Sequence, residues 1–328
     1  MSASLASDQA FGSTPLRADW TGALNSIKTS AVENRTAVTA PLRLGPWLLV
    51  SRLREGTLTR AYRARPAEAK DDANLAPAYV IKVLREEWHD HPAAVARIRQ
   101  EATVGRCVAH KHLLPVLAAH IHRPPYYLVL PHLTASSVAS TLAVRGQLNV
   151  PVALWIARQA AQALGALHTA GYLHGDIKPR NLLLAPNGHV TLLDLTCTRR
   201  LDDAAEMSDP TLYGQPLLGT PKYLAPEMFF GRPADERSDL YSLGLTLYEM
   251  LAGKLPAMPD HLPDLVEFKR TARLLNLRNS APQVQEEVAQ LVRCLTAQDP
   301  LRRPHTARET AERLMRLEIA TLRQRIPA

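Results

Sequence analysis

The spacing of apolar residues changes character once along the chain, and that change constrains the fold more than any other feature. From Pro46 to about Leu133 apolar residues alternate or gather in short runs, at 47–53, 59–64, 78–84, 114–121 and 126–130, a pattern that predicts strands. One helical stretch, at about 92–109, interrupts them. From Val150 onward the period is helical. Pro151 opens a helix with an apolar stripe at Ala153, Ala157, Ala160, Leu164 and Leu167, and Gly171 closes it. Further helices are expected near 238–252, 262–276, 283–296 and 305–324. A small strand-rich front and a larger helical back describe an α+β chain of two lobes with a cleft between them. Its 328 residues, 46% hydrophobic and 21% charged, supply a sizeable core.

Several classes of function fall away. No run approaches ~18 consecutive apolar residues, so no membrane span is expected. The N-terminus lacks the basic-then-apolar pattern of a secretory leader. Cys107, Cys197 and Cys294 are far apart and odd in number, which points to a reduced, cytoplasmic setting and to no metal knuckle. A net charge of +8 would suit an anionic partner. Aromatic residues, however, make up only 5%, a poor supply for base stacking, so nucleic acid is not the expected partner. Residues 1–44, rich in Ala, Ser and Thr, are expected to form a disordered tail.

Charges on otherwise apolar faces mark the candidate chemistry. In the strand 78–84, Val80, Lys82 and Leu84 share one face. In the helix that follows, Glu101 is the only charge on the stripe Ala94, Ile98, Glu101, Gly105, Val108. A buried carboxylate is costly unless paired, so Lys82 and Glu101 are natural partners. The pair is either a structural ion pair or a device that holds the lysine toward an anion. Farther on, two apolar runs flank Pro186-Asn187-Gly188-His189, and Asn-Gly signals a hairpin. A turn centred on Asn187-Gly188 sets Asn181 opposite Asp194, two hard oxygen donors at the open end of the hairpin. Such a pair either caps the strands or holds Mg²⁺ shared with substrate phosphates. Just upstream, His174-Gly175-Asp176-Ile177-Lys178-Pro179-Arg180-Asn181 presents a possible base, a cation and a metal ligand within eight residues.

These strings resemble the protein-kinase family, in particular the bacterial eukaryotic-like (Hanks-type) Ser/Thr kinases, over about residues 45–325. Further matches are the segment 219–227, Gly-Thr-Pro-Lys-Tyr-Leu-Ala-Pro-Glu, the aspartate Asp239, and Asp299-Pro300-Leu301-Arg302-Arg303-Pro304. The resemblance implies a bilobal fold: a strand-rich N-lobe at 45–131 with one helix, the family's αC, and a mainly helical C-lobe at 132–328. It implies transfer of the γ-phosphate of ATP, with Mg²⁺, to hydroxyls of a protein substrate. Asp176 would orient the acceptor hydroxyl and Lys178 would neutralise the transferred phosphoryl group. Lys82, braced by Glu101, would hold the α- and β-phosphates; Asn181 and Asp194 would hold the metal. Gly56 would belong to the phosphate loop, Ala61 and Val80 to the adenine roof, Leu183 to its floor, and Leu130 and Leu133 to the hinge. Thr220 would help place the acceptor residue, and Arg303 would pair with Glu227 to buttress the peptide side.

The chain also departs from the family pattern. Of the phosphate-loop glycines only Gly56 stands; Arg54 and Thr59 take the other places, so nucleotide grip would either be looser or rely on Arg54 or Arg60. Pro131 in the hinge lacks an N–H, which leaves its carbonyl and the backbone of Leu133 to recognise the base. Gly175 replaces an arginine that reads a phosphorylated activation segment, so phosphorylation at Ser208 or Thr211 is expected to matter little. Asp194-Leu195-Thr196 resembles Asp-Phe-Gly with threonine in the glycine place. Gly105 is expected to leave a gap beside Leu195 and hence a mobile helix. Two other readings therefore stay open at this level: a pseudokinase or weakly active kinase serving as a regulatory scaffold, and a small-molecule phosphotransferase, since His-Gly-Asp occurs there too.

Overall fold

The computed structural model describes residues 37–68, 78–202, 219–230, 234–271 and 276–323. Residues 1–36 of the expected tail, and Ser208 and Thr211, lie outside them. The front lobe is a six-stranded antiparallel sheet in the order β1-β2-β3-β4-β6-β5. Its strands are β1 (Ala37–Leu44), β2 (Trp47–Glu55), β3 (Thr59–Pro66), β4 (Tyr79–Leu84), β5 (Ala118–His120) and β6 (Tyr127–Pro131). Five strands were expected. The sixth, β1, falls inside the span expected to be tail, where backbone pairing with β2 overrides a composition that lacks a strand pattern. The expected strand at 114–121 shrinks to β5, because Leu114 N donates to Leu192 O and ties the preceding residues to the back lobe instead.

One sheet face packs Leu84, Leu128 and Leu130 against helix α1 (Pro92–Cys107), through Ala94, Val95, Ile98 and Ala102. Gly105 leaves no gap. Val116 fills the place, its N–H donating to Gly105 O at 2.9 Å, and a β-carbon on Gly105 would collide with the Val116 side chain. The expectation of a gap is therefore corrected: α1 approaches its neighbour more closely because the side chain is missing.

The back lobe is built on α2 (Val138–Arg145), α3 (Val150–Thr169), α4 (Glu236–Ala252), α5 (Leu262–Thr271), α6 (Glu286–Leu295) and α7 (Ala307–Arg323). Helix α3 starts as its sequence prescribes: Asn149 Oδ1 caps Val152 N at 3.1 Å, and Pro151 sits in the first turn. Its stripe Ala153, Ala157, Ala160, Leu164 and Leu167 is fully buried. Helix α4 is buried nearly all round, its polar Ser238, Asp239, Ser242 and Thr246 included. Its Gly244 lets α6 come close, since a β-carbon there would lie 2.6 Å from Leu295 Cβ. Helix α7 opens with Thr306 Oγ1 capping Glu309 N. No helix among the described residues is long and apolar enough to cross a membrane.

A hairpin faces the cleft. Strands β9 (Leu182–Leu184) and β10 (Val190–Leu192) pair, and β9 also pairs with β7 (Ser136–Ser137). Two-stranded pairing of β8 (Tyr172–Leu173) with β11 (Arg199–Arg200) lies beside it. The register of the hairpin differs from the expected one by one residue: Leu182 lies opposite Leu192, so Asn181 lies opposite Leu193, not Asp194. The cause is Pro186. An Asn-Gly two-residue turn needs positive φ at Asn187, but Asp194 is the only non-glycine with positive φ among the described residues. Instead Gly188 N closes on Ala185 O, Pro186 takes the second place of the turn, and Gly188 at φ +83° forms the bulge of a three-residue loop.

Candidate active site

Four polar groups from three places in the chain meet under the sheet. Lys82, in the middle of β4, donates to both carboxylate oxygens of Glu101 on α1, each at 2.7 Å. It also donates to Asp194 Oδ1 and Thr196 Oγ1, both at 2.7 Å. The Thr196 hydroxyl is a hub, 2.6 Å from Asp194 Oδ1 and 2.9 Å from Glu101 Oε2. Its single O–H serves one carboxylate while its lone pair accepts from the lysine. Burial disfavours every charge here. For Lys82 the two carboxylates outweigh it and raise its pKa. Asp194, set against Lys82 and Thr196, is held well below the usual carboxylate range despite its burial. Glu101 is pushed up, by burial first and then by Asp194, against the pull of Lys82. Asp194 takes φ +69°, a left-handed backbone that this ring of contacts must hold in place.

The segment 174–181 hangs from α4. Asp239 accepts from the backbone N–H of His174 at 2.8 Å and of Gly175 at 2.9 Å, and from His168 Nε2 at 2.9 Å. Burial lowers the His168 pKa, but hydrogen bonds and charges of Asp239 and Glu236 overcome it and push the value up to about 9. His174 Nδ1 in turn accepts from Asp176 N at 3.2 Å, while Nε2 meets Leu193 O at 3.0 Å. Asp176 is thereby aimed outward. Its Oδ1 accepts from Thr220 Oγ1 at 2.8 Å, and its Oδ2 from Lys178 Nζ at 2.6 Å and Asn181 Nδ2 at 2.9 Å. Lys178 also reaches the Thr220 hydroxyl. Asn181 Nδ2 is thus occupied by Asp176, and its Oδ1 remains on the side of Asp194.

The roof of the cleft follows from strand register. Arg54 lies opposite Ala61, Ala61 opposite Lys82, and Val80 opposite Leu130, so all five project from one face. Leu183 sits half-buried in the middle of the β10-β9-β7 sheet below, and Leu133 follows the end of β6. The loop at Gly56 is a tight turn, with Gly56 N donating to Thr59 O at 2.8 Å. Of the two arginines named for phosphate grip, Arg60 is turned away onto Glu55 at 2.9 Å. Arg54 enters the cleft and places Nη1 3.4 Å from Asn181 Oδ1 and 3.8 Å from Asp194 Oδ2. The guanidinium of Arg54 thus lies against the two oxygens expected to hold a metal, both hard donors of the kind Mg²⁺ takes.

On the far side, Arg303 makes a two-pronged pair with Glu227, at 2.6 and 2.9 Å, both side chains almost fully buried. Tyr223 O–H bonds Glu249, and Lys269 of α5 donates to Lys222 O at 2.8 Å, Leu224 O at 2.9 Å and Tyr241 Oη at 3.2 Å. Gly175, at φ +78°, fits under Cys197 O, which would lie 2.6 Å from a β-carbon. That close approach is what the missing arginine makes possible.

A family model described as protein kinase domain matches residues 51–315. The chain belongs to the protein kinase family. A probable serine/threonine-protein kinase of Clostridium perfringens is 27% identical over 256 residues, covering 78% of this chain and 36% of the relative. The probable serine/threonine-protein kinase pknA2 of Bifidobacterium longum is 29% identical over 277 residues, covering 83% and 35%. Serine/threonine-protein kinase PrkC of Bacillus subtilis is 26% identical over 240 residues, covering 73% and 36%. The matched region spans about a third of these curated relatives' own length.

In this kinase domain the structure brings Lys82, Glu101 and Asp194 into one cluster and Asp176, Lys178, Asn181 and Thr220 into another; Arg54 links the two. Glu227 and Arg303 stand apart as a buttress. Sequence reasoning missed Lys269, which on an amphipathic helix reads as solvent-facing, and His168, which reads as the end of α3. It counted Thr196 as erosion, whereas the hydroxyl binds three members of the first cluster.

Proposed function

We propose that this domain transfers the γ-phosphoryl group of ATP to serine or threonine hydroxyls of a protein substrate. The observation that carries the reading is the Asp176 carboxylate: one oxygen takes a hydrogen bond from a threonine hydroxyl, Thr220, and the other from Lys178. An acceptor hydroxyl presented to the same carboxylate has its proton drawn toward Asp176 as its oxygen bonds to the γ-phosphorus. The bond to the β-phosphate oxygen breaks and ADP leaves. Lys178 neutralises charge on the moving group, and Lys82, braced by Glu101 and Thr196, meets the α- and β-phosphates. Asn181 Oδ1 and Asp194 Oδ2 would hold Mg²⁺, which shields the phosphate charge. Ala61, Val80, Leu130, Leu133 and Leu183 would enclose the base, and Gly56 would face the phosphates. The three free cysteines support a reducing, cytoplasmic setting.

The test is mass spectrometry of the purified chain and a generic acceptor protein after incubation with ATP and Mg²⁺. Phosphoserine or phosphothreonine is expected with the wild type, and Asp176→Asn is expected to lower its rate by about 10²–10⁴. Phosphate on a small amine or sugar but on no protein would overturn the reading.

A further inference from the structure

Arg54 stands where the family's phosphate loop has its first glycine, and strand register decides where its side chain goes. It shares one sheet face with Ala61 and Lys82 across β2, β3 and β4. The two cations are two strands apart, ~10 Å, and the residue between them is a single methyl group. Nothing on the roof therefore stands between the guanidinium and the back lobe. The loop around it is fixed: Arg85 Nη1 holds Gly56 O at 3.2 Å and Trp88 Nε1 holds Thr57 O at 3.0 Å. Arg52 and Arg60 are turned onto Glu55 outside the cleft. Arg54 alone of the loop's arginines contacts Asn181 and Asp194.

The charges of the first cluster balance with it and not without it. Glu101 and Asp194 carry two negative charges, Lys82 supplies one positive charge, and Arg54 supplies the second. A divalent cation at the same two oxygens would face the guanidinium at contact distance, like charge against like.

We propose that Arg54 is a built-in counter-cation of the metal site: without metal its guanidinium occupies the place between Asn181 and Asp194, and a divalent cation must displace it. This rests on the assignment of those two residues to the metal under the proposed function. The domain's metal requirement is then set by a residue of the roof as well as by the ligands below. Nucleotide, whose phosphates offer the displaced guanidinium a new anion, couples to metal binding through the same side chain.

The test uses the full chain and Mn²⁺ as probe, titrated by electron paramagnetic resonance with and without ADP. Arg54→Met is expected to bind Mn²⁺ about tenfold tighter than wild type in the absence of nucleotide, and Arg54→Lys, which keeps the charge, to stay within threefold of wild type. Equal affinity in wild type and Arg54→Met, or equal tightening in both variants, overturns the proposal while leaving the metal assignment intact. Asp194→Asn in the Arg54→Met background is expected to abolish the tightened site. If it does not, or if no protein takes up Mn²⁺ even with ADP, the metal assignment itself fails.

Discussion

Thr196 shows how one atom can change the character of a site. The family pattern has glycine in its place, with no side chain to touch Lys82, Glu101 or Asp194; here a hydroxyl touches all three. Charge-assisted hydrogen bonds of this kind contribute roughly 1.5–3 kcal/mol each. Thr196→Val keeps the volume and removes the hydroxyl. It is expected to lower unfolding stability by about 2 kcal/mol in urea titration, with Thr196→Ser close to wild type. If the two variants unfold alike, the hydroxyl is a passenger. This residue also marks a boundary of what the sequence discloses. Lys82 and Glu101 are legible because a lone charge on an apolar face needs a partner. Thr196 is not, because its meaning depends on a left-handed turn at Asp194 that no local pattern announces.

At the scale of elements, helix α5 and the segment 219–227 depend on one another. Lys269 is 2% exposed, and its ammonium spends all three protons on Lys222 O, Leu224 O and Tyr241 Oη while lying over the Tyr241 ring. Burial pushes its pKa down to about 7. Lys269→Met preserves the length of the side chain and leaves two buried carbonyls without donors. The expected kinetic result is a KM for protein substrate at least about fivefold higher with the KM for ATP unchanged, since the nucleotide cluster does not touch this helix; equal effects on both constants would show a general loss of structure. The helices themselves were largely legible. Pro151 and Gly171 bound α3, and its apolar stripe faces the core. The hairpin was legible in kind but not in register, because Asn-Gly suggests one turn and Pro186 enforces another. Strand β1 was not legible at all: its partner, β2, supplies what its own sequence lacks.

Across the whole molecule, two buried histidines oppose each other. His168 in the back lobe is held protonated by Asp239 and Glu236, its pKa raised to about 9. Its contribution to stability is complete below the unfolded value of about 6.5 and is lost as pH rises through about 9. His112, where the chain after α1 joins β10, is the reverse case. Burial first, then the neighbouring His189, Lys111 and His110, pushes its pKa down to about 4, against a hydrogen bond to Val190 O. It is neutral in the folded protein, so stability falls as pH drops from about 6.5 toward 4. Above about pH 7 the depressed Lys269 adds stability as pH rises and opposes the His168 loss. The His168 part is therefore read as a difference in a series of thermal unfolding scans: His168→Gln is expected to remove a loss between about pH 6.5 and 9 and to leave the acid side unchanged, and an unaltered alkaline limb would remove His168 from the account. The two-lobed architecture was legible from the single change in periodicity. The seam was not, because it runs through backbone contacts such as Leu192 N to His112 O.

The buttress between Glu227 and Arg303 joins residues 76 positions apart. During synthesis the carboxylate emerges long before its partner, and a back lobe that closed early would entomb a bare anion. Completion of this lobe is therefore tied to the arrival of the segment at Asp299–Pro304 on the ribosome. A product broken off before Arg303 is expected to leave Glu227 buried without its partner, at a cost of roughly 3–5 kcal/mol.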